Sequence, residues 1–109
     1  EMPACCTTLC NVCLGAVPVA PYSAAASEEM GISTVKYIGD KRAVILKHHG
    51  VIAVGPTLHD AEAAAIYMED AAKCYLAARA ASPTGEVALM SPEQEAEAVN
   101  THKTYGQRH

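Results

Sequence analysis

The stretch "AVILKHHGVIAVG", residues 43 to 55, constrains the fold more than any other part of the chain. It consists of two aliphatic, largely β-branched runs broken by two imidazoles and a glycine. Such runs, bounded by turn residues, read as buried strands. Ala43 to Lys47 forms one and Val51 to Val54 the next, with Gly50 supplying a bend and Gly55-Pro56 ending the pair. Alternation along a strand sends His48 and His49 to opposite faces, so at most one of them enters a given site. A lone imidazole in an apolar run is ordinarily a core histidine bonded to backbone. The sharper reading is a zinc ligand, with nitrogen ~2.0–2.1 Å from the metal.

The flanking sequence supplies helices. Thr57 with Asp60 makes a capping-box-like start to an alanine-rich helix over 58–81. Ala61, Ala65, Met68, Ala72 and Leu76 share the side expected to face a sheet, opposite His59, Glu62, Glu69, Asp70 and Lys73. Ser27 before Glu28 and Glu29 starts a helix over 28–38, in which Met30, Thr34, Val35 and Ile38 recur at helical spacing. Ser91 followed by Pro92 opens a last helix over 92–103. Residues 1–22, rich in sulfur and interrupted by Pro3, Gly15, Pro18 and Pro21, read as short extended pieces and turns, with a strand near 17–20. The expected class is α/β.

Composition narrows the function. The chain has 109 residues, half of them hydrophobic, and a formal charge of −4, which suits a single domain. Its cations are scattered, so the basic stripe of a nucleic-acid binder is missing. No apolar run approaches the ~20 residues of a membrane span, and the first residues lack a basic lead, so a cytoplasmic protein is expected. Five cysteines, an odd count, read as free thiols and not as a disulfide framework. Cys6, Cys10 and Cys13 have a spacing that holds an iron–sulfur cluster in some radical enzymes. The chain lacks the length and βα repetition of those enzymes, and free thiols outweigh that reading. His59, His102 and His109 stand at no recognisable ligand spacing. On spacing alone the metal site stays incomplete.

"ILKHHGVIAVGPTLHDAEAAAIYMEDAAKCYL", residues 45 to 76, resembles the stretch that marks the class II aldolase and adducin family. Members carry a strand ending in His-Gly, then a glycine, a "TL..A" helix start and a long helix ending "AKxYL". Upstream, "PVAPYS" is similar to the family's "PCAPYA" turn; downstream, "HKTYGQR" is similar to the "FKTYGLR" tail of its fuculose-phosphate aldolases. The resemblance covers residues 3 to 108. It implies a partial three-layer fold, a sheet covered by helices, with residues 1–109 forming the C-terminal portion of a domain whose N-terminal half lies elsewhere. A sheet cut in this way exposes apolar edges and associates with itself or with the missing half.

Carried over by position, the resemblance assigns His49 as a zinc ligand, His48 as its neighbour and Tyr105 as a catalytic tyrosine at the mouth of the site. The plain alternative for Tyr105 is an ordinary tail residue. Zinc held by His49 and two further histidines from the absent half would stabilise an enediolate, while a glutamate moves the proton. The implied reaction is retro-aldol cleavage of a sugar phosphate, resembling L-fuculose 1-phosphate, to dihydroxyacetone phosphate and an aldehyde. The implied assembly is a homo-oligomer, a tetramer in the family, and the fragment alone is expected to be inactive. Thr7 stands where a second tyrosine is usual, and His102 where phenylalanine is. Two other readings fit the family: a non-catalytic, adducin-like interaction module, and a pentulose-phosphate 4-epimerase. Epimerases usually carry proline where this chain has Val51.

Overall fold

The computed structural model describes residues 1–104. Its centre is a three-stranded sheet in the order β1-β2-β3, built from Val19–Ala20 (β1), Ala43–Leu46 (β2) and Gly50–Ala53 (β3). β1 runs parallel to β2, with Val19 beside Ile45, and β2 runs antiparallel to β3, with Ala43 beside Ala53 and Leu46 beside Gly50. All four residues of β2 are apolar because both of its faces are covered. Ala43 and Ile45 join a cluster containing Leu9, Cys13, Val17, Ala64 and Met68 on one face. Val44 and Leu46 meet Met30 and Ile38 on the other.

Four helices surround this sheet: α1 (Thr7–Cys13), α2 (Glu28–Ile38), α3 (Leu58–Ala81) and α4 (Pro92–Thr104). α2 covers one face; α1 and α3 cover the other, and α4 packs outside α1 through Ala98 against Ala4 and Cys10. The expected α/β class and three-layer arrangement are therefore present. The three anticipated helices begin on hydroxyl caps. Ser27 Oγ accepts from Met30 N at 3.1 Å, and Thr57 Oγ1 from Asp60 N at 3.1 Å. At α4, Ser91 and Gln94 cap each other reciprocally, at 3.2 and 2.9 Å.

Three details differ from the sequence reading. The first is α1, which replaces the extended pieces expected near the start. Threonine and cysteine are weak helix formers, but burial of Leu9, Cys10 and Cys13 drives this short helix. Its end is fixed by Leu14 in the left-handed region, whose carbonyl accepts from Lys41 Nζ at 2.7 Å. The next residue, Gly15 (φ 117°), cannot be replaced without movement, since a Cβ there would lie 2.7 Å from Glu95 Oε1. The second concerns the rotation of α3. Its buried residues are Ala64, Met68 and Ala71, while Ala65 and Leu76 face solvent. An alanine-rich helix is apolar on several sides, so packing against α1, and not the pattern alone, decides which side is covered. The third difference is the strand ends. β2 stops at Leu46, one residue short of the expected Lys47.

Candidate functional site

Because β2 ends early, the two histidines lie in the turn that joins β2 to β3 and not on a strand, and the alternation argument does not apply to them. His49 N donates to Leu46 O at 2.9 Å, closing a four-residue turn. The third residue of that turn, His48, has φ 62°. A positive φ at this position is the signature of a type II turn, usually met by glycine. The reversal thus falls on His48, whereas Gly50 is the first residue of β3 and has an ordinary φ. Lys47 N donates to Ala20 O at 3.2 Å, anchoring the turn to β1. The ring of Tyr22, just past β1, meets His48 edge-on, with centroids 6.3 Å apart and planes at 63°.

The turn therefore stands at the carboxyl ends of two parallel strands, where open α/β sheets bind ligands. Lys47, His48, His49 and Tyr22 are all exposed. The core-histidine alternative is excluded for both imidazoles. His49 is held by backbone bonds while its ring stays open to solvent, as a metal ligand completed from outside requires. Among the described residues, no group of three or more His, Cys, Asp or Glu side chains is arranged to hold a metal ion. These residues alone do not make a zinc site; what they present is one exposed imidazole, His49, on a turn of fixed shape. Tyr105 lies outside the described residues.

A second feature went unnoticed in the sequence. α1 and α4 flank an open groove of about 470 Å³ lined by Thr7, Asn11, Gln94, Glu97, Thr101 and the apolar Met90. The Asn11 Oδ1 is buried without a hydrogen-bond partner. Thr7, the position where the resemblance places a tyrosine, is on this wall, and Thr101 stands four residues before Tyr105. His49 is not among the lining residues. The spacing of Leu9, Cys10 and Cys13 is compatible with a helix, but it is too short, and its residues are too weak as helix formers, to be decisive in the sequence.

Residues 1–76 match the family described as Class II Aldolase and Adducin N-terminal domain. The chain belongs to that family. Its curated relatives include the L-fuculose phosphate aldolase of Escherichia coli O6:H1, 33% identical over 92 residues that cover 84% of this chain and 42% of the relative. The rhamnulose-1-phosphate aldolase of Listeria welshimeri is 33% identical over 78 residues, covering 72% of this chain and 28% of that protein. Among solved structures, an L-fuculose 1-phosphate aldolase superposes with a TM-score of 0.86 at 26% identity, covering 94% of this chain and 46% of the other. YgbL of Escherichia coli shares the fold, with a TM-score of 0.66 at 18% identity. This class II aldolase and adducin chain thus spans less than half the length of the relatives it matches. No helix among its described residues is long and apolar enough to cross a membrane.

Proposed function

We propose that this chain is the C-terminal portion of a class II aldolase that cleaves a sugar phosphate related to L-fuculose 1-phosphate, releasing dihydroxyacetone phosphate and an aldehyde. The observation that carries this reading is the exposed His49, fixed on the turn after β2 in a chain that superposes on an L-fuculose 1-phosphate aldolase over nearly its whole length. His49 supplies one ligand of a zinc site, and two histidines outside residues 1–109 supply the others. Zinc bound there would act as a Lewis acid on the substrate oxygens. Lys47 N and His49 N are occupied by backbone bonds, so the turn keeps its shape while the imidazole is engaged. Tyr105 is the proposed proton donor to the aldehyde oxygen. The assembly is a cytoplasmic homotetramer.

One observation favours the non-catalytic, adducin-like reading: Thr7 brings a hydroxyl, not a phenol, to its groove. Coupled detection of dihydroxyacetone phosphate separates the two. The full-length gene product should release it from L-fuculose 1-phosphate in the presence of zinc, and residues 1–109 alone should not. Release by the isolated chain would overturn the fragment reading. No release by the full-length protein from either L-fuculose or L-rhamnulose 1-phosphate would favour the interaction module.

A further inference from the structure

Among the described residues, α3 is covered on one side only. It packs inward on α1, β2 and β3, where Ala64, Met68 and Ala71 are buried. The opposite side carries Ile66, 56% exposed, and Leu76, 63% exposed, flanked by the exposed Ala65 and Ala77. Toward the end of the helix, residues 76–81 are all exposed, yet apolar apart from Arg79. Most of a helix's stability in a protein comes from packing, and a helix that is apolar all round is normally covered all round.

The charges of α3 are segregated along its length. Asp60, Glu62, Glu69 and Asp70 precede Ala71, whereas Lys73 and Arg79 follow it. Two copies of the helix running the same way would set like charges level. Running opposite ways, they set each acidic half against a basic half, and their helix dipoles oppose. With the two-fold axis level with Ala71, Glu69 stands level with Lys73 of the second copy, Ile66 with Leu76, Ala65 with Ala77 and Glu62 with Ala80. Acid meets base, aliphatic meets aliphatic and alanine meets alanine. These positions all fall within ~60° of one line along the helix, and contact over 62–80 runs ~27 Å. Within one copy, Glu69 Oε1 and Lys73 Nζ lie 3.4 Å apart, with side chains 71% and 74% exposed. The same pair from the second copy would close a ring of four alternating charges.

We propose that the outer side of α3 pairs, antiparallel, with the same side of α3 in a second copy of this chain. A face made for a different sequence has no need to match its own reverse, and this one does so at successive levels. The alanines at the Ala65–Ala77 level let the two backbones approach to ~8 Å, the close end of helix packing. The contact is isologous and closed by its two-fold axis. It uses neither His49 nor Tyr105 and no aldol chemistry, so it stands or falls separately from the proposed reaction.

Photo-cross-linking of the full-length gene product, with Ile66 replaced by p-benzoylphenylalanine, tests this. The expected result is a covalent dimer on a denaturing gel, its bridge mapped by mass spectrometry from position 66 to the peptide carrying Leu76. Within a single helix those positions are ~15 Å apart, and a bridge inside one chain does not double its mass. At limiting protein concentration, Glu69→Lys and Lys73→Glu should each lower the yield ~10-fold, two modest attractions having become repulsions. An equal mixture of the two variants should recover it, because each then faces the opposite charge. The Glu69–Lys73 pair within the helix stays broken in both, so a purely intrahelical role predicts no recovery. Circular dichroism identifies any variant that fails to fold, and the mapped bridge then decides alone. No covalent dimer, a bridge to sequence outside residues 1–109, or a mixture no better than its components would overturn the proposal.

Discussion

His48 adopts φ 62° although its Cβ is crowded there by its own carbonyl, at ~1–2 kcal/mol for an ordinary residue. The turn Leu46-to-His49 bond and the Tyr22 ring hold it in place. His48→Gly should therefore leave thermal stability unchanged or raise it by up to ~1 kcal/mol, relief of strain being partly offset by glycine's freer unfolded state. His48→Val should lower stability by ~1–2 kcal/mol, because a β-branched residue tolerates this region poorly. Equal effects of both variants in thermal unfolding would mean that the turn is not strained. The thiols make a second prediction at this scale. Cys10 and Cys13 are raised from 9.0 to about 11, chiefly by burial. A raised thiol favours the fold while it stays protonated, so its contribution is complete below pH 9 and is lost as pH climbs toward 11. The melting temperature should fall across that window, and a Cys10→Ala/Cys13→Ala double variant should show a shallower fall from its own starting value.

At the level of elements, Met68 and Leu76 discriminate the observed rotation of α3 from the expected one. Met68 is buried, and Leu76 is 63% exposed. Met68→Ala should cost ~2–5 kcal/mol in denaturant unfolding, in the range of core truncations. Leu76→Ala should stay within ~0.5 kcal/mol, unless that surface is covered in a larger assembly. Helix starts were legible because capping is local: Ser27, Thr57 and Ser91 each bond an amide three residues ahead, and sequence spacing alone reveals such pairs. α1 was not legible, since its stability comes from Leu9, Cys10 and Cys13 meeting α3 and α4, which lie far away along the chain. The strand end at Leu46 was also missed. Nothing in "LKHHG" distinguishes a bulged strand from a hairpin turn until β1 fixes the register of β2.

For the molecule as a whole, the described sheet ends in β1 and β3, and apolar side chains such as Val35 (73%) and Leu58 (86%) are exposed; if the proposed assembly covers them, they should be protected in the full-length protein. The family was legible because several short motifs occur in order along the chain, and His49 could be singled out within one of them. Its geometry was not legible: an exposed imidazole on a turn differs from one at a strand end in what can approach it. The position of Tyr105 falls outside the described residues.

The central claim is that His49 is one ligand of a zinc site shared with sequence beyond residues 1–109. Zinc content of the full-length gene product, measured by plasma mass spectrometry after dialysis against a weak chelator, tests it most directly when His49→Ala and His48→Ala are compared. The unaltered protein and His48→Ala should retain a single zinc per protomer. His49→Ala should lose it, through a fall in affinity larger than the ~10–100-fold that follows loss of an outer-shell partner. Full zinc retention in His49→Ala would contradict the assignment.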